Sequence, residues 1–155
     1  MELTAQKVLK DCEAASYRLV IENDFQTFRL IWISAISLIR AVGHVLHKVD
    51  SKRSEELADG INELYKSWKS DRNKHKIFWE FIEAERNNVL KEYEIGFLGE
   101  PVTIHVVDTE ESYTVDWKLY CPLSSGEYVN EDCRCVLDDA IQWWKEQINE
   151  LPKYT

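Results

Sequence analysis

The run Phe25-Gln-Thr-Phe28-Arg-Leu-Ile-Trp32-Ile33-Ser-Ala35-Ile36-Ser-Leu-Ile39-Arg40-Ala-Val42-Gly-His44-Val-Leu46-His47-Lys-Val49 decides the fold class. Phe28, Trp32, Ala35, Ile39, Val42, Leu46 and Val49 recur in steps of four and three, the period of a helix face that packs along a bundle seam. Asn23-Asp24 offers an N-terminal cap and Asp50-Ser51 an end. Upstream, a helix is predicted from about Leu3 to Ile21, with Val8, Cys12, Ala15 and Leu19 along one side. Downstream, Ser54 with Glu55-Glu56 opens a third helix on which Leu57, Ile61, Leu64 and Trp68 repeat. After the connector Asp71-Arg72-Asn73, a fourth helix runs from about Lys74 to Ile95 and stops at Gly96, a common C-terminal residue. Short connectors between long amphipathic helices predict an up-and-down antiparallel four-helix bundle over residues 1–96.

Beyond Gly96 the period changes. Pro101–Asp108 and Tyr113–Tyr120 alternate as strands, with Thr109–Ser112 as their turn, so a β-hairpin is expected. A lone hairpin is marginal and is expected to lie on the helices. A last helix, from about Cys133 to Glu150, carries Leu137, Ile141, Trp144 and Ile148, with Asp132 as its cap and Pro152 beyond its end. The fold class is therefore α+β, mostly α, in one domain of 155 residues. Charge divides at the same place. Residues 1–96 hold 15 basic and 16 acidic side chains, residues 97–155 hold 4 and 12, and the chain's net charge is −9.

Several functions are disfavoured by these features. The acidity argues against a simple nucleic-acid coat, which depends on neutralising phosphates. The apolar run Leu30–Leu46 is interrupted by Arg40 and His44 and reads as too short and polar to cross a bilayer, so no membrane association is expected. No secretory signal is visible in the first residues, and Cys12, Cys121, Cys133 and Cys135 lack a disulfide-framework spacing, so reduced thiols in a cytoplasm are expected. Cys133-x-Cys135 with Cys121 and His105 has zinc-ligand types without the usual knuckle spacing, and no metal is expected. The 5 glycines form no phosphate-cradling loop, and no other cofactor is evident. Lys66, Lys69, Arg72, Lys74, His75 and Lys76 make a basic patch that reads as a solvated connector.

Helical phase is more informative. Ile33 and Ile36 lie away from the main seam of the second helix, and Arg40, His44 and His47 continue that second strip. A helix apolar on two sides is either central in a protein or lies at a subunit contact. The expectation adopted is a homodimer formed through Ile33, Ile36 and the Arg86 face of the fourth helix. At 100° per residue Arg86 falls among Trp79, Ile82, Val89, Leu90 and Tyr93. A guanidinium there requires an acid, carbonyls or a ligand anion. Glu83 on the same side is the expected carboxylate, unless Arg86 meets a phosphate or a partner's acid.

The run Phe81-Ile-Glu-Ala-Glu-Arg86-Asn87-Asn-Val-Leu-Lys91-Glu-Tyr93 resembles the last bundle helix of the HEPN superfamily. Those are small, often dimeric helical bundles, many of them toxin ribonucleases or noncatalytic relatives. Arg86, Asn87 and Tyr93 match the family's Arg, Asn and Tyr positions, while Lys91 stands where a His is expected. Histidine shuttles protons near neutral pH and lysine as a residue type holds its charge, so the resemblance implies a disabled ordinary site. It thus implies a noncatalytic binding or regulatory module for a protein or RNA partner, its acidic C-terminal half engaging a basic protein or shielding the bundle from RNA. The alternative is a metal-independent ribonuclease with a composite site of Arg40, His44, His47, Arg86 and Asn87. A further alternative is an unrelated accessory or immunity-like interaction protein.

Overall fold

α2 (Phe25–Lys48) is the axis around which the computed structural model, describing residues 2–97 and 99–151, is assembled. It touches α1 (Thr4–Ile21), α3 (Glu55–Ser70), α4 (residues 78–92) and α5 (Cys133–Asn149). Its seam residues Phe28, Trp32, Ala35, Ile39, Val42 and Leu46 are buried, and so, at 0% exposure, is Ile36. Ile36 therefore belongs to the interior and not to a dimer surface. The second apolar strip exists because α2 is central, and Ile33 is only half-buried. The chain is mostly helical (64%), and α5 shares the core with the other four helices instead of standing outside a four-helix unit. Pro152, expected beyond α5, lies outside the described residues.

Two aromatic clusters fill the ends of this core. Phe25, Phe28, Trp32, Phe97 and Trp117 meet at one end, Phe25 and Phe28 stacked and the other pairs edge-on or tilted. Trp68, Phe78, Trp143 and Trp144 meet at the other, their ring centroids 4.8–6.1 Å apart. Such contacts add about 0.5–1.5 kcal/mol per pair beyond area burial. The Trp144 indole donates to the Ile39 carbonyl at 2.9 Å, and Gly43 lets α5 come that close. A methyl group at Gly43 would lie 2.8 Å from Trp144 Cη2.

α4 departs from the expected regular helix. It runs through a π-helical stretch Phe78–Glu83, one α turn Ala84–Asn87 and a second π stretch Asn88–Glu92. It ends at Tyr93, whose φ of 54° places it in the left-handed region, not at Gly96. The Tyr93 and Glu94 amides both donate to the Asn88 carbonyl, closing the last turn. Gly96 serves close approach, since a Cβ there would overlap the Glu85 carboxylate.

β1 (Val102–Val106) and β2 (Glu111–Val115) pair antiparallel, Ile104 opposite Tyr113. The hairpin does not lie on the helices as expected. Its residues are exposed apart from half-buried Val102 and Val115 at its base. The chain is instead anchored on either side of it, by Phe97 and Trp117 against α2. From Phe25 to Lys52 the backbone is one helical run with a mean hydropathy of 1.5 in its most apolar window, long and apolar enough by composition to cross a bilayer. This corrects the reading of the run as too short and too polar, and its buried seam accounts for part of that hydropathy.

Candidate functional site

Arg40, His44 and Arg86 converge on one hollow, with Ser37, Ala41 and Leu90 completing it, in a volume of about 230 Å³. α2 supplies Arg40 and His44 one turn apart, and α4 brings Arg86 across from them. Arg40 and His44 also line a second cavity of about 250 Å³ between α2 and α3. Its floor is apolar (Ile61, Leu64, Trp68, Phe78), and His47, Asn62 and Tyr65 stand at its rim.

The charges are arranged unequally. Arg40 Nε lies 2.9 Å from Glu83 Oε1, although the fully sheltered Nε–H is not aligned for a hydrogen bond, so the pairing is electrostatic. The Arg40 guanidinium also sits 5.9 Å from the Phe78 ring centroid. Glu83 is thus taken by Arg40 and is not the partner expected for Arg86. Arg86 is half-buried and donates to Asn87 Oδ1 at 3.0 Å, and among the described residues it forms no ion pair. Three of the five composite-site residues therefore meet at one hollow. His47 lies on the α3 side of His44, and Asn87 holds Arg86 without lining the hollow. Lys91 and Tyr93 are exposed.

The acid buried in α4 is Glu85, only 6% exposed. Its Oε1 accepts from the Gly96 amide at 2.8 Å and, more weakly, from the Trp32 indole at 3.4 Å. Burial raises its carboxyl above the ordinary carboxylate value, the hydrogen bonds from Gly96, Trp32 and Asn88 opposing that shift. Sequence reasoning missed Glu85 because a π turn takes an extra residue and rotates every later position relative to the 100° wheel. One signal was present: Trp32, in the middle of the α2 seam, needs an acceptor for its N–H.

Other groups are spoken for. His75, assigned by sequence to a solvated basic patch, is 6% exposed, and its Nδ1 accepts from the Trp143 indole at 3.2 Å. In the same patch Lys66 pairs with Glu63 and Lys76 with Glu127, while Arg72 covers Trp79 at 4.1 Å. Cys121 and Cys133 are buried, Cys135 is exposed, and His105 bonds Ser112 on the hairpin. Among the described residues no three His, Cys, Asp or Glu side chains converge. Comparison of the chain with protein-family models, curated proteins and solved structures finds no match.

Proposed function

We propose that this chain is a noncatalytic helical binding module for RNA, seating a phosphate in the Arg40–His44–Arg86 hollow and a base in the α2–α3 cavity. The observation that carries this reading is that the two recesses share Arg40 and His44, so an anion-binding surface adjoins an aromatic one. A phosphate suits Arg86, which no carboxylate neutralises among the described residues, and a planar ring suits Tyr65, Trp68 and Phe78. At about 250 Å³ the cavity is smaller than the ~300–1,000 Å³ of drug-sized sites, which favours a single ring system. The resemblance of residues 1–96 to the HEPN superfamily agrees with an RNA partner, and Lys91 in place of His agrees with binding without cleavage.

The net charge of −9 does not oppose this reading locally. The segments flanking the acidic hairpin are anchored at Phe25 and Phe28, about 24–28 Å along α2 from His44. Screening at physiological salt acts over about 8 Å.

Fluorescence anisotropy with a labelled single-stranded RNA tests the proposal. The wild type should bind with salt-dependent affinity, Arg86→Ala should weaken binding about tenfold, and Tyr65→Ala should weaken it about fivefold or more. Equal binding by wild type and both variants, or none by any, overturns it. A second reading, metal-independent cleavage, is favoured by the exposure of His44 beside Arg86. RNA cut in the presence of EDTA, and left intact by the His44→Ala, His47→Ala variant, would establish cleavage in place of simple binding.

A further inference from the structure

The outer face of α1 and its C-cap Glu22 carry charges that form no ion pair among the described residues, the Glu22 carboxylate accepting only from the Asn23 and Asp24 amides at 3.1 and 3.0 Å. Lys7, Asp11 and Arg18 are exposed and Glu22 is half-buried. Among the described residues none of the four enters an ion pair, whereas α1's Lys10 pairs with Glu2 and its Glu13 with Lys145. At 100° per residue Lys7, Asp11 and Arg18 fall within about 40° of one another on one stripe, and Glu22 follows as the C-cap one turn beyond Arg18. Their signs run plus, minus, plus, minus, and both the 7/22 and the 11/18 pairs are centred between Ala14 and Ala15. Small residues thus occupy the centre of an antisymmetric charge pattern.

The neighbouring face of α2 is apolar and incompletely covered. Leu30, Ile31, Ser34 and Leu38 line an open groove against Asp11, Ala14, Ala15, Tyr17 and Arg18. Leu30 is 59% exposed and Tyr17 66%. No charged residue interrupts α2 from Leu30 to Ile39, and only 33% of its most apolar window is buried inside the chain.

We propose that this α1–α2 face binds a second copy of the chain, the two α1 helices running antiparallel about a twofold axis at Ala14–Ala15. A twofold contact is self-complementary: whatever residue i meets, its equivalent meets in return. In this register Lys7 faces the partner's Glu22 and Asp11 faces the partner's Arg18, each pair occurring twice. A parallel arrangement would oppose Lys7 to its own copy and Asp11 to its own copy. The antiparallel axis is therefore selected by repulsion as well as attraction. A lipid surface fits less well, because membrane-lying helices are rich in Lys and Arg on their polar side, and this stripe carries two acids at its centre and end. The face shares no lining residue with the Arg40–His44–Arg86 hollow, so the inference stands independently of the RNA reading.

Sedimentation velocity on the full chain, with circular dichroism to verify folding, tests the contact. The wild type should sediment as a dimer at micromolar concentration. Asp11→Arg or Arg18→Asp alone should weaken association about tenfold or more, and the double exchange should restore it. A wild type that stays monomeric at all concentrations overturns the proposal. So does a dimer indifferent to the single exchanges, or a double variant that fails to recover. A monomer that binds vesicles of anionic lipid would assign the face to a bilayer and equally overturn it.

Discussion

Glu85 is a carboxylate enclosed by Trp32, Asn88 and the backbone at Gly96, and its protonation is tied to folding. Its folded value is raised, so its contribution to stability is complete below pH ~4.5 and is lost as pH rises through that folded value. Glu85→Gln, which keeps an acceptor and cannot ionise, should therefore match the wild type in urea unfolding at pH 4 and exceed it at pH 7. Glu85→Ala should lose about 3 kcal/mol at pH 4, because the Gly96 and Trp32 donors are left without acceptors, and less at pH 7, where the ionised wild type is itself less stable. A glutamine variant less stable than the wild type at pH 7 would contradict this account. At this scale the sequence was legible where a residue's role follows from its type and spacing. Trp32, Trp68 and Trp144 were placed inside by their stripes and are buried. Glu85 and Arg86 were not legible, because adjacent residues exchange roles when the helical period changes beneath them. The convergence of Arg40 and His44 with Arg86 was half legible from helical phase: one helix face gave the first two, and Arg86 was grouped with them only through the family resemblance.

Among the elements, α1 shows how distant sequence can complete a local structure. Its N-terminal amides at Thr4 and Ala5 each donate at 2.9 Å to the carboxylate of Asp50, which lies in the 3-10 turn Asp50–Lys52 after α2 and is fully buried. Arg53 completes the arrangement, 3.1 Å from Asp50 Oδ1, and also bonds the Glu2 carbonyl and the Thr4 hydroxyl. Asp50→Ala should destabilise the protein by about 3 kcal/mol in equilibrium unfolding, since it removes the carboxylate of a buried pair and leaves two helix amides unsatisfied. A loss under about 1 kcal/mol would show that water replaces Asp50 adequately. The sequence marked Asp50 as the end of one helix and gave no sign that it begins another, because that function spans 46 positions. The π stretches of α4 were equally hidden, since no propensity scale separates them from a regular helix. Element existence and order were readable because apolar periodicity is a local property; the contacts between elements are not local.

For the molecule as a whole, the acid limb of stability is set in part by His75, wedged against Trp143 between the start of α4 and α5. Burial, with the charge of Lys74 adding to it, holds the imidazole below its ordinary value of 6.5. The unfolded chain therefore takes up a proton first as the pH falls. Stability is full above about pH 6.5 and declines through the folded value below it. The urea midpoint of the wild type should fall between pH 7 and pH 5 by more than that of His75→Gln, and parallel profiles for the two proteins would exclude the histidine as the cause. Over the same range Glu85 works in the opposite sense, which is why the two are best separated by variants.

The hairpin has a different consequence at this scale. Its strands bury almost nothing, and its ends are held by Phe97 and Trp117 while its tip stands in solvent, with Val107 91% exposed. Folding of the helices owes little to the segment between these anchors. A foreign peptide spliced in near Asp108 would ride on the outside without disturbing the interior, giving a natural attachment point for a dye or an affinity epitope.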